Sequence, residues 1–137
     1  MKKATLLVGC PASGKSWVAE QVKDKYHYVP HDDHIGGDYI KAAVDAVQSA
    51  TKPVLLETPF SMSKIMEPLN MQGILVTPVH IQDDHEKIAE RYRSREGKEI
   101  PKGHLTRQKT YLQRAMDSGD FHGTPDEVLN YLKTKGE

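Results

Sequence analysis

Between a short apolar run and a stretch of helical spacing, Gly9-Cys10-Pro11-Ala12-Ser13-Gly14-Lys15-Ser16 satisfies the pattern G-x-x-x-x-G-K-[ST] at every fixed position. That placement limits what the rest of the chain can be. A loop of this kind points successive backbone N–H groups into one concavity, and the helix that follows adds about half a unit of positive charge at its start. Phosphate oxygens fill such a concavity. The spacing assigns Lys15 to the β- and γ-phosphates of a nucleoside triphosphate and the Ser16 hydroxyl to Mg2+.

The flanking pattern supports this reading. Lys3 to Gly9 contains an unbroken Leu-Leu-Val run that suits a strand buried on both faces of a parallel sheet. From Gly14 to about Lys25, Trp17, Val18, Val22 and Tyr26 recur at helical spacing. Tyr28-Val29-Pro30 reads as a second strand, followed by a helix from Asp38 to Ala50 with Ile40, Ala43, Val44 and Val47 on its apolar face. Pro53 to Leu56 is a third strand. Ser61 or Ser63 caps a helix reaching Met71, which Pro68 is expected to kink or end early. Gly73 to Ile81 is the fourth strand, and Pro78 places its missing donor at an edge or irregularity. Helices then follow from Asp83 to about Arg95 and from Leu105 to Met116. Thr124-Pro125-Asp126-Glu127 is a capping box that starts a last helix, Pro125 to about Lys135. The order predicts a three-layer α/β sandwich on a mainly parallel four-stranded sheet, with residues 1–137 as one domain.

Composition narrows the class further. The one cysteine, Cys10, excludes an intrachain disulfide and suits a reducing cytoplasm. The longest aliphatic run, Leu6 to Val8, is far short of the ~20 residues a membrane helix needs, and Gly9 and Pro11 interrupt it before a cleavage site. Neither membrane insertion nor secretion is expected. The 19 basic and 19 acidic side chains balance, yet Lys87 to Arg114 holds nine basic residues against Glu90, Glu96 and Glu99. A local anion partner fits this asymmetry better than a uniformly basic coat.

Ligands of open parallel sheets collect beyond the carboxyl ends of the strands, which places Asp32 and Asp33 near the phosphate loop. A carboxylate there can accept the proton of an attacking hydroxyl, and Asp32 is the candidate. The alternative for either residue is capping the next helix or tying a turn. His31 and His34 flank the pair, but four adjacent residues cannot all face one tetrahedral centre, so they are read as solvated. Glu57 ends the third strand, where an acid can hold Mg2+; an ordinary strand-end acid is the alternative. Arg91 and Arg95 share a helix face and suit a lid over a transferring phosphoryl group, with Glu96-Gly97-Lys98 as its hinge. Local pairing of these arginines with Glu90, Glu96 and Glu99 competes with that role.

Met1-Lys2-Lys3, the strand Ala4 to Gly9, the loop with Trp17-Val18-Ala19-Glu20, the Asp32-Asp33 pair, and Arg91, Arg95 and Pro101 together resemble the kinase domain of bacteriophage polynucleotide 5′-kinases. Order and approximate spacing hold over most of the chain. The resemblance implies a P-loop kinase fold with a four-stranded parallel core and a helical lid at about residues 91–103. It implies transfer of the γ-phosphate of ATP (or GTP), with Mg2+, to a hydroxyl on DNA or RNA. Asp32 is then the general base, Lys15, Arg91 and Arg95 act on the phosphates, and Gly9, Pro11, Ala12, Ser13, Gly14, Lys15, Ser16 and Trp17 surround the nucleotide. His122-Gly123-Thr124-Pro125 resembles a segment near the adenine. Two departures stand out: His34-Ile35 replaces the family's Tyr-Arg, and the stretch from Ile35 to Lys52 is shorter than the family's helical channel. A kinase acting on a hydroxymethyl group of a DNA base, or a small-molecule or nucleoside kinase on the same core, accommodates both. A nucleotide-gated binding module with little turnover is a third class, but the chain has no N-K-x-D guanine motif.

Overall fold

The apolar run at the start of the chain forms β1 (Lys2–Val8), and the protein is organised around it. The computed structural model describes residues 2–9, 13–30, 37–58 and 62–135. β1 lies between β3 (Val54–Thr58) and β4 (Ile74–Ile81), with β2 (His27–Val29) and β5 (Phe121–Gly123) outside them, in the order β2-β3-β1-β4-β5. Every adjacent pair is parallel. All strand carboxyl ends therefore lie on one edge of the sheet, the edge at which the phosphate loop begins.

The sheet has five strands where four were expected. The extra strand, β5, is three residues long and exists through pairing with Val79–Ile81. That same short pairing leaves the outer side of β4 uncovered by β5 at Pro78, so the ring takes no rung away from β5. Across β4 and β5, His80 Nε2 meets Asp120 Oδ2 at 3.4 Å. Burial lowers the His80 imidazole below its ordinary value, against the opposing pull of Asp120.

Leu6 and Leu7 point to opposite faces, as successive strand residues must, and each anchors a core. On one face Leu6, Leu56 and Val76 pack with Tyr39 of α2 (Gly37–Ser49) and Leu69 of α3 (Met62–Met71). On the other, Leu7, Leu55 and Val79 meet Val18 of α1 (Lys15–Gln21) and Val128 and Leu132 of α6 (Pro125–Lys135). α4 (His85–Glu96) and α5 (Lys102–Ser118) complete the chain. No helix among the described residues is long and apolar enough to cross a membrane.

Three helices depart from expectation. α1 stops at Gln21 rather than near Lys25, because the chain turns there: Tyr26 N–H donates to the Val22 carbonyl at 2.9 Å, and Tyr26 Oη donates to the Leu132 carbonyl at 3.0 Å. α3 runs through Pro68 to Met71. Burial of Ile65 and Leu69 on either side of the proline offsets the lost backbone bond. Ser63 lies inside α3, and position 61 is outside the described residues. α5 is longer than its apolar pattern suggested, continuing from Lys102 to the positive-φ turn at Gly119.

The capping box at the start of α6 is present and reciprocal. Thr124 N–H donates to Glu127 Oε1 at 3.1 Å, and Glu127 N–H donates to Thr124 Oγ1 at 3.4 Å. Thr124→Ala is expected to destabilise the fold by about 1 kcal/mol, lowering the urea midpoint without changing the slope of the transition. An unchanged midpoint would show that the cap contributes nothing.

Candidate active site

The loop begins where β1 ends. Gly9 N–H donates to the Thr58 carbonyl at 3.4 Å, and a Cβ at position 9 would stand 2.5 Å from Ser13 Oγ and 3.2 Å from the Ile81 carbonyl oxygen. Only glycine allows that approach. Gly14 adopts φ +109, and a Cβ there would also stand 2.8 Å from Pro125 Cγ. Ser13 is fully buried, and its hydroxyl has no hydrogen-bond partner among the described residues. Leaving such a group unsatisfied costs roughly 1–3 kcal/mol, so an anion oxygen seated in the loop would supply what it lacks. The cradle therefore fits phosphate. Cys10, Pro11 and Ala12 lie outside the described residues.

Lys15 opens α1 with its side chain buried, and its ammonium donates to the Gly9 carbonyl at 2.6 Å. This short charge-assisted bond holds the cation over the loop. Ser16 follows on the same turn.

Glu57 is only 4% exposed, at the carboxyl end of β3 and opposite Leu7 of β1. Two tyrosines hold it. Its backbone N–H donates to Tyr39 Oη at 2.9 Å, and that hydroxyl donates to the Val29 carbonyl at 2.7 Å, so Tyr39 closes the seam between β2 and β3. Tyr28 Oη donates to Glu57 Oε2. Burial, and then the adjacent Glu57 carboxylate, push the Tyr28 phenol far above its ordinary range, against a smaller opposing effect of the Ser16 hydroxyl. Burial does the same to Tyr39. Both phenols keep their protons and remain donors.

On the other side of the loop, α4 brings Arg91 forward. Asp84 caps the helix by accepting from Glu86 N–H at 2.7 Å, and Arg91 donates to the carboxylate of Asp83. Burial alone would raise the Asp83 carboxyl. Hydrogen bonds from Arg91 and the Asp84 N–H, with the charges of Arg91 and Lys87, outweigh it and hold the group below its ordinary value. A cavity of about 460 Å³ is lined by Gly14 and Trp17, by Arg91 beside Gly14, and by Thr124 and Pro125. Trp17 is 47% exposed there, unlike Val18, Val22 and Tyr26, which are buried in the core.

The structure thus gathers Gly9, Ser13, Gly14, Lys15, Ser16 and Glu57 at one strand edge, and Trp17 and Arg91 at one cavity. Arg95 stands apart. It lines a neighbouring depression with Lys87, Glu90, Arg91 and Ser94, bonds Glu96 Oε1 at 3.0 Å, and lies 5.9 Å from the Tyr92 ring centre. Arg93 pairs with Glu99. Asp32, with Asp33, His31 and His34, falls outside the described residues. No cluster of three His, Cys, Asp or Glu side chains that could hold a metal ion occurs among the described residues.

Sequence reasoning passed over Tyr28, Tyr39 and the role of Asp83. Tyr39 left a trace, since Tyr39, Ala43 and Ala46 stand at i, i+4 and i+7 on the buried face of α2. For Tyr28 the partner comes from a separate part of the chain, and for Asp83 it lies eight residues on; neither pairing leaves a local signature.

No protein-family model matches the chain, and no curated protein matches it in sequence. Solved structures do match. A sugar kinase from Janibacter sp. HTCC2649 aligns over 98% of this chain and 94% of its own, at 15% identity and a TM-score of 0.60. A gluconokinase from Sinorhizobium meliloti 1021 aligns over 80% of this chain and 74% of its own, at 19% identity and a TM-score of 0.53. With a parallel sheet, a glycine-rich loop after β1, and likeness to these two structures over most of the chain, the chain has the fold of the P-loop kinases.

Proposed function

We propose that the protein is a kinase that transfers the terminal phosphoryl group of a nucleoside triphosphate, ATP or GTP, to a hydroxyl of a small polyhydroxylated molecule. The observation that carries this reading is the convergence of the buried Lys15, the buried Glu57 and the Ser13 hydroxyl, which has no partner among the described residues, at one edge of the sheet, with Arg91 beside Gly14 at the adjoining cavity. Two neighbours described as a sugar kinase and a gluconokinase support the choice of acceptor.

The motif and the strand order support these roles. Gly9, Ser13, Gly14 and Lys15, with Pro11 and Ala12 of the same loop, hold the phosphates. Ser16 and Glu57 hold Mg2+, which when bound neutralises triphosphate charge. Trp17 lies against the part of the nucleotide that enters the cavity. Arg91, released from Asp83, stabilises the transferring group, and Arg95 supports it from the adjoining depression. Asp32, three residues beyond β2, accepts the acceptor's proton.

A second reading has one observation in its favour. The exposed surfaces of α4 and α5 and the turn between them carry Lys87, Lys98, Lys102 and Lys109 as well as the arginines, a charge distribution suited to a nucleic-acid hydroxyl at a 5′ end or on a base.

One experiment separates these readings. Trp17 is the chain's sole tryptophan, so its fluorescence should change saturably as nucleotide is added, and ADP release is then followed with sugars and sugar acids or with 5′-hydroxyl oligonucleotides. Release driven by the small acceptors supports the first reading, and release driven only by oligonucleotides transfers support to the second. A fluorescence titration without saturation sinks both.

A further inference from the structure

We propose that Tyr28 is a positioning residue for the divalent cation of the nucleotide site, fixing the Glu57 carboxylate in the orientation in which it receives the ion. The inference rests on the reading of Ser16 and Glu57 as the cation's protein partners.

Strand geometry sets up the contact. Tyr28 pairs with Leu55 across the β2–β3 ladder, and Glu57, two residues on from Leu55, points to the same face. The phenol thus lies beside the end of β3 and donates to Glu57 Oε2. The carboxylate is almost wholly buried, so an oxygen engaged in this way fixes the direction of the other. Tyr39 secures the same residue by its backbone, and Glu57 is therefore held at both ends.

Hydrogen-bond direction supplies the second part of the argument. The proton of Tyr28 Oη is committed to Glu57. That direction keeps the carboxylate an acceptor, with its charge available to a cation. Outer partners of this kind typically change metal affinity 10- to 100-fold when removed.

Tyr28→Phe deletes the hydroxyl and keeps the ring. ADP affinity is measured by calorimetry with and without Mg2+. The variant should bind metal-free ADP within about twofold of wild type but require roughly tenfold more Mg2+ to reach the tight state. Its effect should also be non-additive with Glu57→Gln, the double variant losing no more than Glu57→Gln alone. Equal Mg2+ requirements in wild type and Tyr28→Phe, or additive losses, would overturn the proposal while leaving the kinase reading intact. A wild-type protein that binds ADP without regard to Mg2+ would remove the cation site and the Tyr28 assignment with it. Where Tyr28→Phe does not fold, 3-fluorotyrosine placed at position 28 carries the test. Its 19F resonance should move when Mg2+ joins the ADP complex, and an unmoved resonance counts against the proposal.

Discussion

Lys15→Ala should lower turnover by about 10²–10³-fold, the loss usually seen when one preorganised donor to developing charge is removed. The lysine is held by the Gly9 carbonyl inside the loop it serves, so its alkyl stem and ammonium are in place before nucleotide arrives. The substitution should weaken triphosphate binding more than diphosphate binding, because Lys15 is assigned to the outer phosphates. Competition titrations with ATP and ADP, read through Trp17 and compared with steady-state ADP release, measure both effects. Unchanged turnover and unchanged discrimination between the two nucleotides would remove the phosphate loop from the function.

Leu7→Ala should have the largest effect on stability. Leu7 is fully buried in the central strand and packs against side chains from α1 and α6 together with Leu55 and Val79. With partners from two helices and two further strands, the space left behind cannot collapse from one side. A loss of about 3–5 kcal/mol is expected, equivalent to a melting temperature roughly 10–20 °C lower. Differential scanning calorimetry on the two proteins gives the answer, and a drop of only a few degrees would mean that the surrounding side chains repack. Because most domains have only about 5–15 kcal/mol in total, this variant should also show measurable partial unfolding at moderate urea.

What the sequence discloses about this molecule divides by range. The phosphate loop, β1 and α6 could be read because their signals are local: a glycine-rich turn between an apolar run and a helix, and a Thr-Pro-Asp-Glu box whose two hydrogen bonds close within four residues. β5 could not, since Phe121-His122-Gly123 is too short to display a period and becomes a strand only beside Val79–Ile81. Pro68 misleads when judged by backbone chemistry alone, because the burial of Leu69 outweighs it. The site divides in the same way. Lys15, Ser16 and Glu57 could be placed from motif and strand position, whereas the Tyr28–Glu57 bond spans 29 residues and depends on the strand order. Arg91 was expected as a cation over the site. Its tie to Asp83, eight residues away, emerges only when the turn before α4 folds back on the helix.

The central place of β1 has a bearing on how the chain is made. Its first strand partner is β3, with Leu6 opposite Leu56, and its second is β4, with Leu6 opposite Pro78. During synthesis the Leu-Leu-Val segment thus emerges ahead of both neighbours, and at about 5–20 residues per second it waits several seconds for each. The nascent polypeptide must shelter its most apolar stretch through that interval, and a product truncated before residue 54 would present to chaperones and proteases a strand with neither of its neighbours.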